Sequence, residues 1–313
     1  MRLLPERRRR VGPKRQSDMA TKHISANQLV EDQLSRNIAE LESVMDSDCL
    51  TYVGPIAFGA DDDIREAVEE IAALPNKRKK LVFVLETPGG FAETTRRIVN
   101  TVRNHYEVID FLVPSYAMSA GTILVMSGDA IHMDYYSVLG PIDPQIEVNG
   151  KLVPALGYLI RYEKLLNMAK KGNISQAEME ILLSFDQAEL YSYEQARDLS
   201  KSLLQDWLCK YKWKDWIVTE TRKIPVTDAM KKKRANDIAV KLNDVKRWNS
   251  HGIGINIKQL REVLNLKIDD FGVDKKINEV VRRYHKLLTD YMGKMRHKSA
   301  VHTGQTYSPL LIG

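Results

Sequence analysis

The sequence predicts an α/β fold in which helices cover both faces of a parallel β-sheet. Segments with strand and helix character alternate in the order β-α-β-α-β between residues 49 and 133, and this order is typical of parallel sheets. Residues 81–85 form an uninterrupted apolar run, which indicates a strand buried on both faces. Beyond residue 150 the pattern predicts helices, so we expect a helical C-terminal extension.

Local signals mark the individual elements. Apolar residues recur with helical spacing in the first segment, 26–45, and a strand at 49–53 stops at Gly54-Pro55. A helix is predicted after residue 90 and another from residue 119, with strands at 108–113 and 130–133 beside them. The later helices are predicted at 158–170, 176–183, 189–211, after the basic stretch 231–234 as far as residue 245, and at 253–266 and 274–295.

The composition is that of a soluble globular protein. The chain has 313 residues, of which 43% are hydrophobic and 28% charged, so it can bury a large core. Cys49 and Cys209 are far apart and have no metal-ligand spacing. We expect two free thiols in a reducing compartment, and neither a metal nor a cofactor.

The N-terminal segment carries much of the net charge of +6. Arginines stand where a signal peptide would need an apolar core, so we predict a disordered basic leader at 1–25 with Met19 as a candidate start. No run approaches the ~18 uncharged apolar residues that a membrane span needs. We therefore expect no transmembrane segment and a cytoplasmic location.

Two glycine-containing turns follow predicted strands about thirty residues apart. The first is Pro88-Gly89-Gly90, and the second places Ser119 before Ala120 in a string of small residues. A serine is nucleophilic when a base, oxyanion donors and room for a carbonyl converge on it. A helix start has free N–H groups, so the Ala120 amide is a candidate oxyanion donor. The amides of Gly89 and Gly90, uncovered by side chains at the end of the neighbouring strand, are the others. The alternative is two unrelated packing turns.

Three strings in order, "FVLETPGG", "PSYAMSAGTILVMSGD" and "SVLGPIDPQ", resemble the Clp-fold serine peptidases. Together with the later "WNSHGIGINIKQLREVLNL", they are similar to the SDH (serine dehydrogenase) proteinase family, which is related to the Clp protease subunit and signal-peptide peptidase A. The resemblance is strongest over residues 49–145. It implies the Clp/crotonase-type superfold, a serine peptidase acting on proteins or peptides, and self-assembly into a homo-oligomer.

The same resemblance assigns the catalytic residues. Serine, aspartate and histidine occur in that chain order in the SDH proteinase family, which points to Ser119, Asp143 and His251. The histidine that Clp protease subunits carry about two dozen residues after the serine is absent here. Asp143 has the alternative of capping a turn before proline, and His251 that of capping the following helix.

Other readings of the sequence stay open. In relatives of signal-peptide peptidase A a lysine is the base, for which Lys151 is the leading candidate here and Lys164 the second. His132 alternates with apolar residues, which favours a sheet histidine. A crotonase-like acyl-CoA enzyme would share the oxyanion hole. Residues 225–270 have the spacing of a helix-turn-helix, but Asp269 and Asp270 would repel phosphates, so nucleic acid is not expected as a partner.

These observations divide the chain into three parts. We predict the leader at 1–25, a Clp-fold catalytic domain at 26–205, and a helical extension at 206–313 that carries the candidate histidine. The aromatic stretch 207–216 is expected to pack as a hydrophobic patch or as an interface between copies.

Overall fold

In a computed structural model of the protein, which describes residues 24–148 and 151–310, a seven-stranded sheet lies between two layers of helices. The strands of this sheet are β1 (Asp48–Val53), β2 (Lys80–Glu86), β3 (Val108–Leu112), β5 (Ala130–Met133), β10 (Asp269–Asp270), β11 (Ala300–Thr303) and β12 (Tyr307–Pro309). Their order is β10-β5-β3-β2-β1-β11-β12. The first five run parallel, and β11 and β12 are added antiparallel at the edge. The predicted α/β class with a parallel sheet is confirmed.

Side chains alternate between the two faces of the central strands, and each face is apolar. On one face, Leu81, Phe83 and Leu85 of β2 pack in a core formed mainly with helices α2, α3, α4, α7 and α8. On the other, Val82 and Val84 pack against α1 and α11. These helices are α1 (Ala26–Met45), α2 (Ala60–Ala72), α3 (Ala92–His105), α4 (Ala120–Val125), α7 (Gln187–Trp207), α8 (Asp228–Leu242) and α11 (Lys275–Met295).

Two smaller sheets lie beside the main one. Three short strands, β4 (Tyr116–Ala117), β6 (Val138–Leu139) and β9 (Ile255–Asn256), form a sheet in the order β4-β6-β9. A hairpin of β7 (Gln145–Val148) and β8 (Lys151–Pro154) leads into α5 (Ala155–Lys170) and α6 (Gln176–Leu183). The remaining elements are a π-helical turn (Leu208–Lys212), α9 (Val245–Trp248) and α10 (Ile257–Glu262).

The sequence predicted the helices more accurately than the short strands, which it missed. The bounds predicted for α1 and α6 match the structure. The helix expected at 253–266 instead begins at Ile257, because Ile255 pairs with Leu139 and Asn256 caps the helix with its side chain. The extension after residue 206 also supplies β9 to β12, so strands from both sides of the predicted division at residue 205 share one sheet. That division stays a prediction.

Other expectations have mixed outcomes. The predicted leader at 1–25 lies, apart from its last two residues, outside the described residues. Cys49 and Cys209 are free thiols. Of the aromatic stretch, Trp207 is buried in the core and Trp213 packs against it. Among the described helices, none combines the length and apolar character that a bilayer crossing requires.

A buried histidine makes the stability of this fold dependent on pH. His302 on β11 is 1% exposed, its Nδ1 lies 2.7 Å from the Tyr284 hydroxyl, and its Nε2 has no partner among the described residues. Burial lowers the pKa of His302 from its ordinary 6.5 to about 4. Between these values the unfolded chain binds a proton that the folded chain does not.

We therefore expect the free energy of unfolding to fall by about 2–3 kcal/mol, through this residue alone, between pH 7 and pH 4.5. Denaturant titrations at both pH values measure the loss. In His302→Phe the drop should be smaller by that amount. An equal drop in both proteins would contradict a neutral buried imidazole.

Candidate active site

The three-stranded sheet brings the three candidate catalytic residues to one end. Ala117, Leu139 and Ile255 lie abreast in β4, β6 and β9. Ser119 follows β4 by two residues and Asp143 follows β6 by four. Because β9 runs antiparallel to β6, His251, four residues before β9, leaves the sheet at this same end.

Ser119 adopts a backbone conformation that side chains avoid. It has φ 52° and ψ −118°, and it is the N-cap of α4 without a capping hydrogen bond from its side chain. Such a conformation costs a non-glycine residue about 1–3 kcal/mol. A serine on a strained turn between a strand and a helix is also the arrangement that exposes nucleophiles in hydrolases of another fold.

Strand β2 continues past its last residue to bring the glycine turn beside Ser119. Thr87 donates its N–H to the Tyr116 carbonyl at 3.0 Å and accepts the Met118 N–H at 2.9 Å. Gly89 then adopts φ 104°, and a Cβ there would lie 2.7 Å from the Ser119 Cβ. The two turns singled out in the sequence therefore touch.

The N–H groups of this turn have different uses. Gly89 donates its N–H to the Thr87 hydroxyl at 3.0 Å. Ile56 and Gly90 form a parallel β-bridge, in which Ile56 donates its N–H to the Gly89 carbonyl and accepts the Phe91 N–H. In such a bridge the N–H of the central residue, Gly90, points away from Ile56. Within the described residues, the N–H groups of Gly90 and Ala120 make no hydrogen bond.

Gly90 has no room for a side chain. A Cβ there would lie 2.2 Å from the Ile56 carbonyl oxygen, and its φ of 150° is unfavourable for other residues. We expect Gly90→Ala to lower the free energy of unfolding by about 2 kcal/mol or more and to move the N–H. Denaturant unfolding measures the loss. Gly157→Ala is the control, since nothing lies within 4 Å of a Cβ at that position; equal stability of the two variants would contradict the close approach.

Asp143 is buried and pairs with the half-buried His251. His251 Nδ1 lies 2.9 Å from Asp143 Oδ1, and the two side chains are 23% and 2% exposed. An aspartate on Nδ1 orients an imidazole and leaves Nε2 free for the proton of a nucleophile. The other oxygen, Oδ2, accepts a hydrogen bond from Gln145 Nε2 at 2.7 Å.

The C-terminal end of α8 holds both of the loops that carry this pair. Ile142 donates its N–H to the Leu242 carbonyl at 3.1 Å. The indole of Trp248, which is 5% exposed, donates to the Lys241 carbonyl at 2.7 Å. The unsatisfied carbonyls of a helix end accept such bonds readily. Sequence reasoning missed this role of α8, although Trp248 in the WNSHG string was a signal.

Thr122 joins the serine turn to the loop that leads to Asp143. It is fully buried, and its hydroxyl lies 2.8 Å from the Ala117 carbonyl oxygen and 3.0 Å from that of Gly140. The hydroxyl also accepts the Gly140 N–H at 2.9 Å. This residue was not singled out in the sequence, because one threonine among small residues has no distinctive pattern.

The alternative residues lie in other settings. Lys151 begins β8, the strand after the predicted hairpin tip, and its side chain is outside the described part. Lys164 on α5 is exposed, so its ammonium stays hydrated. His132 lies in β5, as its alternation with apolar residues predicted, and its Nε2 is 3.4 Å from Asp110 Oδ2.

Two further classes of site have no support in the described residues. No group of three His, Cys, Asp or Glu side chains is placed there to hold a metal ion. The helix-turn-helix pattern within 225–270 also lacks its recognition helix: α10 ends at Glu262, and Asp269–Asp270 form β10 in the main sheet where that helix would lie.

Comparison with known proteins gives two related sequences and a weak structural likeness. Two uncharacterized proteins of Methanocaldococcus jannaschii are 38% identical over 85 residues and 29% identical over 165 residues. These matches cover 27% and 50% of this chain and 29% and 55% of theirs, so the chain spans about half their length or less. A solved mutant of the membrane-bound stomatin-specific protease 1510-N is 17% identical over 59% of this chain and 74% of its own, with a TM-score of 0.31. That score is too low to carry an argument.

A match to a family model shows which protein family the chain belongs to. The model of the ClpP-like SDH-type serine proteinases matches residues 34–222, more than half of the chain. The match contains Ser119, both glycines of the turn and Asp143, whereas His251 lies beyond it. The chain belongs to the family of ClpP-like SDH-type serine proteinases.

Proposed function

We propose that the protein is a serine endopeptidase in which Ser119 is the nucleophile, His251 the base and Asp143 the residue that orients the base. The observation that carries the proposal is the Asp143–His251 pair at the end of the small sheet from which Ser119 also emerges. His251 and Asp143 are 108 residues apart in the chain. The small sheet places both at the same end as the strained Ser119, and nucleophilic catalysis requires a serine, a base and an orienting group to lie together.

The reaction follows from these roles. Ser119 Oγ attacks the scissile carbonyl while His251 takes its proton, and the imidazolium is stabilised by the Asp143 carboxylate. The Gly90 and Ala120 N–H groups donate to the oxyanion, which a preformed pair of donors stabilises. Gly89, whose own N–H is occupied, shapes the turn. The leaving amine takes the proton from His251, and water releases the acyl group by the reverse sequence.

We also propose that the substrates are proteins or peptides of the cytoplasm and that the enzyme acts as a homo-oligomer. Family membership supports a protein substrate and self-association. Sedimentation analysis of the full chain tests assembly, and a monomer that cleaves peptides at full rate would contradict it.

A labelling experiment tests the nucleophile. The full chain is incubated with a fluorophosphonate probe, and the modified residue is located by mass spectrometry. We expect one adduct on Ser119 and loss of peptide hydrolysis in proportion to labelling. An unlabelled Ser119 in a folded chain, with saturable binding of an acyl-CoA instead, would contradict the peptidase and favour a crotonase-like enzyme.

A further inference from the structure

Asp143 needs its orientation fixed if it is to serve His251. One carboxylate oxygen, Oδ1, lies 2.9 Å from His251 Nδ1, and the side chain is 2% exposed. A buried carboxylate oxygen without a hydrogen-bond donor is costly. A carboxylate with one partner could also rotate and turn its other oxygen toward the imidazole. The second oxygen therefore requires a partner of its own.

Gln145 supplies that partner. Its Nε2 donates to Asp143 Oδ2 at 2.7 Å, which is the short end of the normal range. A glutamine amide donates without carrying charge, so it holds the carboxylate without competing with the imidazolium for the negative charge. Pro144 separates the two residues, and its ring restricts the backbone between them.

Gln145 is itself held by the hairpin. It is the first residue of β7 and pairs with Pro154, the last residue of β8. Ala155 donates its N–H to the Pro144 carbonyl at 2.9 Å and closes the open end of the hairpin. A shift of this end of the hairpin would move the Gln145 amide and the Asp143 carboxylate together.

We infer that Gln145 is a positioning residue that locks the Asp143 carboxylate against His251 and couples the β7–β8 hairpin to this pair. The inference rests on the proposed function. Gln145, the last residue of the GPIDPQ string, then has a second role besides beginning β7. Gln145 acts through Asp143 and does not touch the reacting atoms.

Two variants of the full chain test this role. Gln145→Met keeps the length of the side chain and removes the donor. Gln145→Glu keeps the shape and places an acceptor where the donor stood, so it repels Asp143. The matched control is Gln176→Met, because Gln176 lies exposed on α6 and its amide donates to Glu180 of the same helix. Thermal unfolding confirms that each variant is folded.

We expect kcat for peptide hydrolysis to fall about 10- to 100-fold in Gln145→Met, with KM within twofold, because small misplacement of a catalytic group has costs of this size. In Gln145→Glu the loss should be larger. The midpoint of the pH–labelling profile of Ser119 should move to lower pH in Gln145→Met, since a misaligned carboxylate stabilises the imidazolium less. In Gln145→Glu the added carboxylate favours the imidazolium and opposes this shift. Unchanged kcat and an unchanged profile in Gln145→Met would overturn the inference.

A spectroscopic measurement separates this inference from the proposed function. The proton on His251 Nδ1, held by Asp143, should give a downfield NMR resonance in the unmodified protein. We expect this resonance to weaken or vanish in Gln145→Met and to persist in Gln176→Met. If Ser119 proved unreactive, the resonance would still report on Gln145; its persistence in Gln145→Met would refute the positioning role alone.

Discussion

Replacing Ser119 with alanine is expected to lower kcat for peptide hydrolysis by roughly 10⁴- to 10⁶-fold, since the members of a catalytic unit have losses of this size. Replacing it with glycine should abolish activity equally and also stabilise the fold. Only the glycine variant relieves the strained backbone at φ 52° and ψ −118°, so we expect about 1 kcal/mol more free energy of unfolding than in the unmodified protein. Kinetics with denaturant unfolding checks both effects.

The neighbouring serine provides the control. Ser115 precedes β4 in the same loop region, and Ser115→Ala should retain both the fluorophosphonate labelling and the activity. A Ser119→Gly variant less stable than Ser119→Ala would show that the turn does not store strain. Hydrolysis that survives in Ser119→Ala at more than about 1% of the original rate would remove Ser119 from the nucleophile role.

Asp143→Asn is expected to lower kcat by about 10⁴-fold with little loss of stability, because an amide at this position favours the wrong tautomer of the imidazole. His251→Ala should lose at least as much, since the base itself is gone. The double variant should be no worse than His251→Ala, as residues that act as a unit have non-additive effects. Rates of Ser119 labelling by the phosphonate probe provide the measurement.

The fold contains a matched pair for comparison. His132 and Asp110 are also a histidine and an aspartate within 3.4 Å, but they lie within the main sheet. His132→Gln should leave labelling of Ser119 unchanged. If His132→Gln abolished labelling and His251→Ala did not, the base would have to be reassigned.

Local sequence patterns predicted the positions of several helices and strands. The helices α1 and α6 were located at their true bounds: apolar residues recur in α1 at helical spacing, and a serine caps the N-terminus of each helix. The apolar run at 81–85 predicted a buried strand, and β2 lies in the middle of the sheet. These signals are local, so one sequence is enough to detect them.

Short strands and second partners could not be predicted in this way. Strands of two residues, such as β9 and β10, have no period to detect, and they form because a partner strand is already in place. The same holds for Gln145, Thr122 and Trp248, whose roles depend on atoms that lie far away in the chain or that local turns bring close.

The sequence by itself determined the fold class. It also pointed to the candidate nucleophile turn with its glycines and, through resemblance, to the three candidate catalytic residues. The tertiary structure alone decided that Asp143 and His251 meet, because their contact spans 108 residues and requires β6 and β9 to pair first. It also decided that, within the described part of the chain, the Gly89 N–H is bonded to Thr87 and the Gly90 N–H makes no hydrogen bond. Local composition encodes secondary structure, whereas hydrogen bonds between distant segments exist only after the chain has packed.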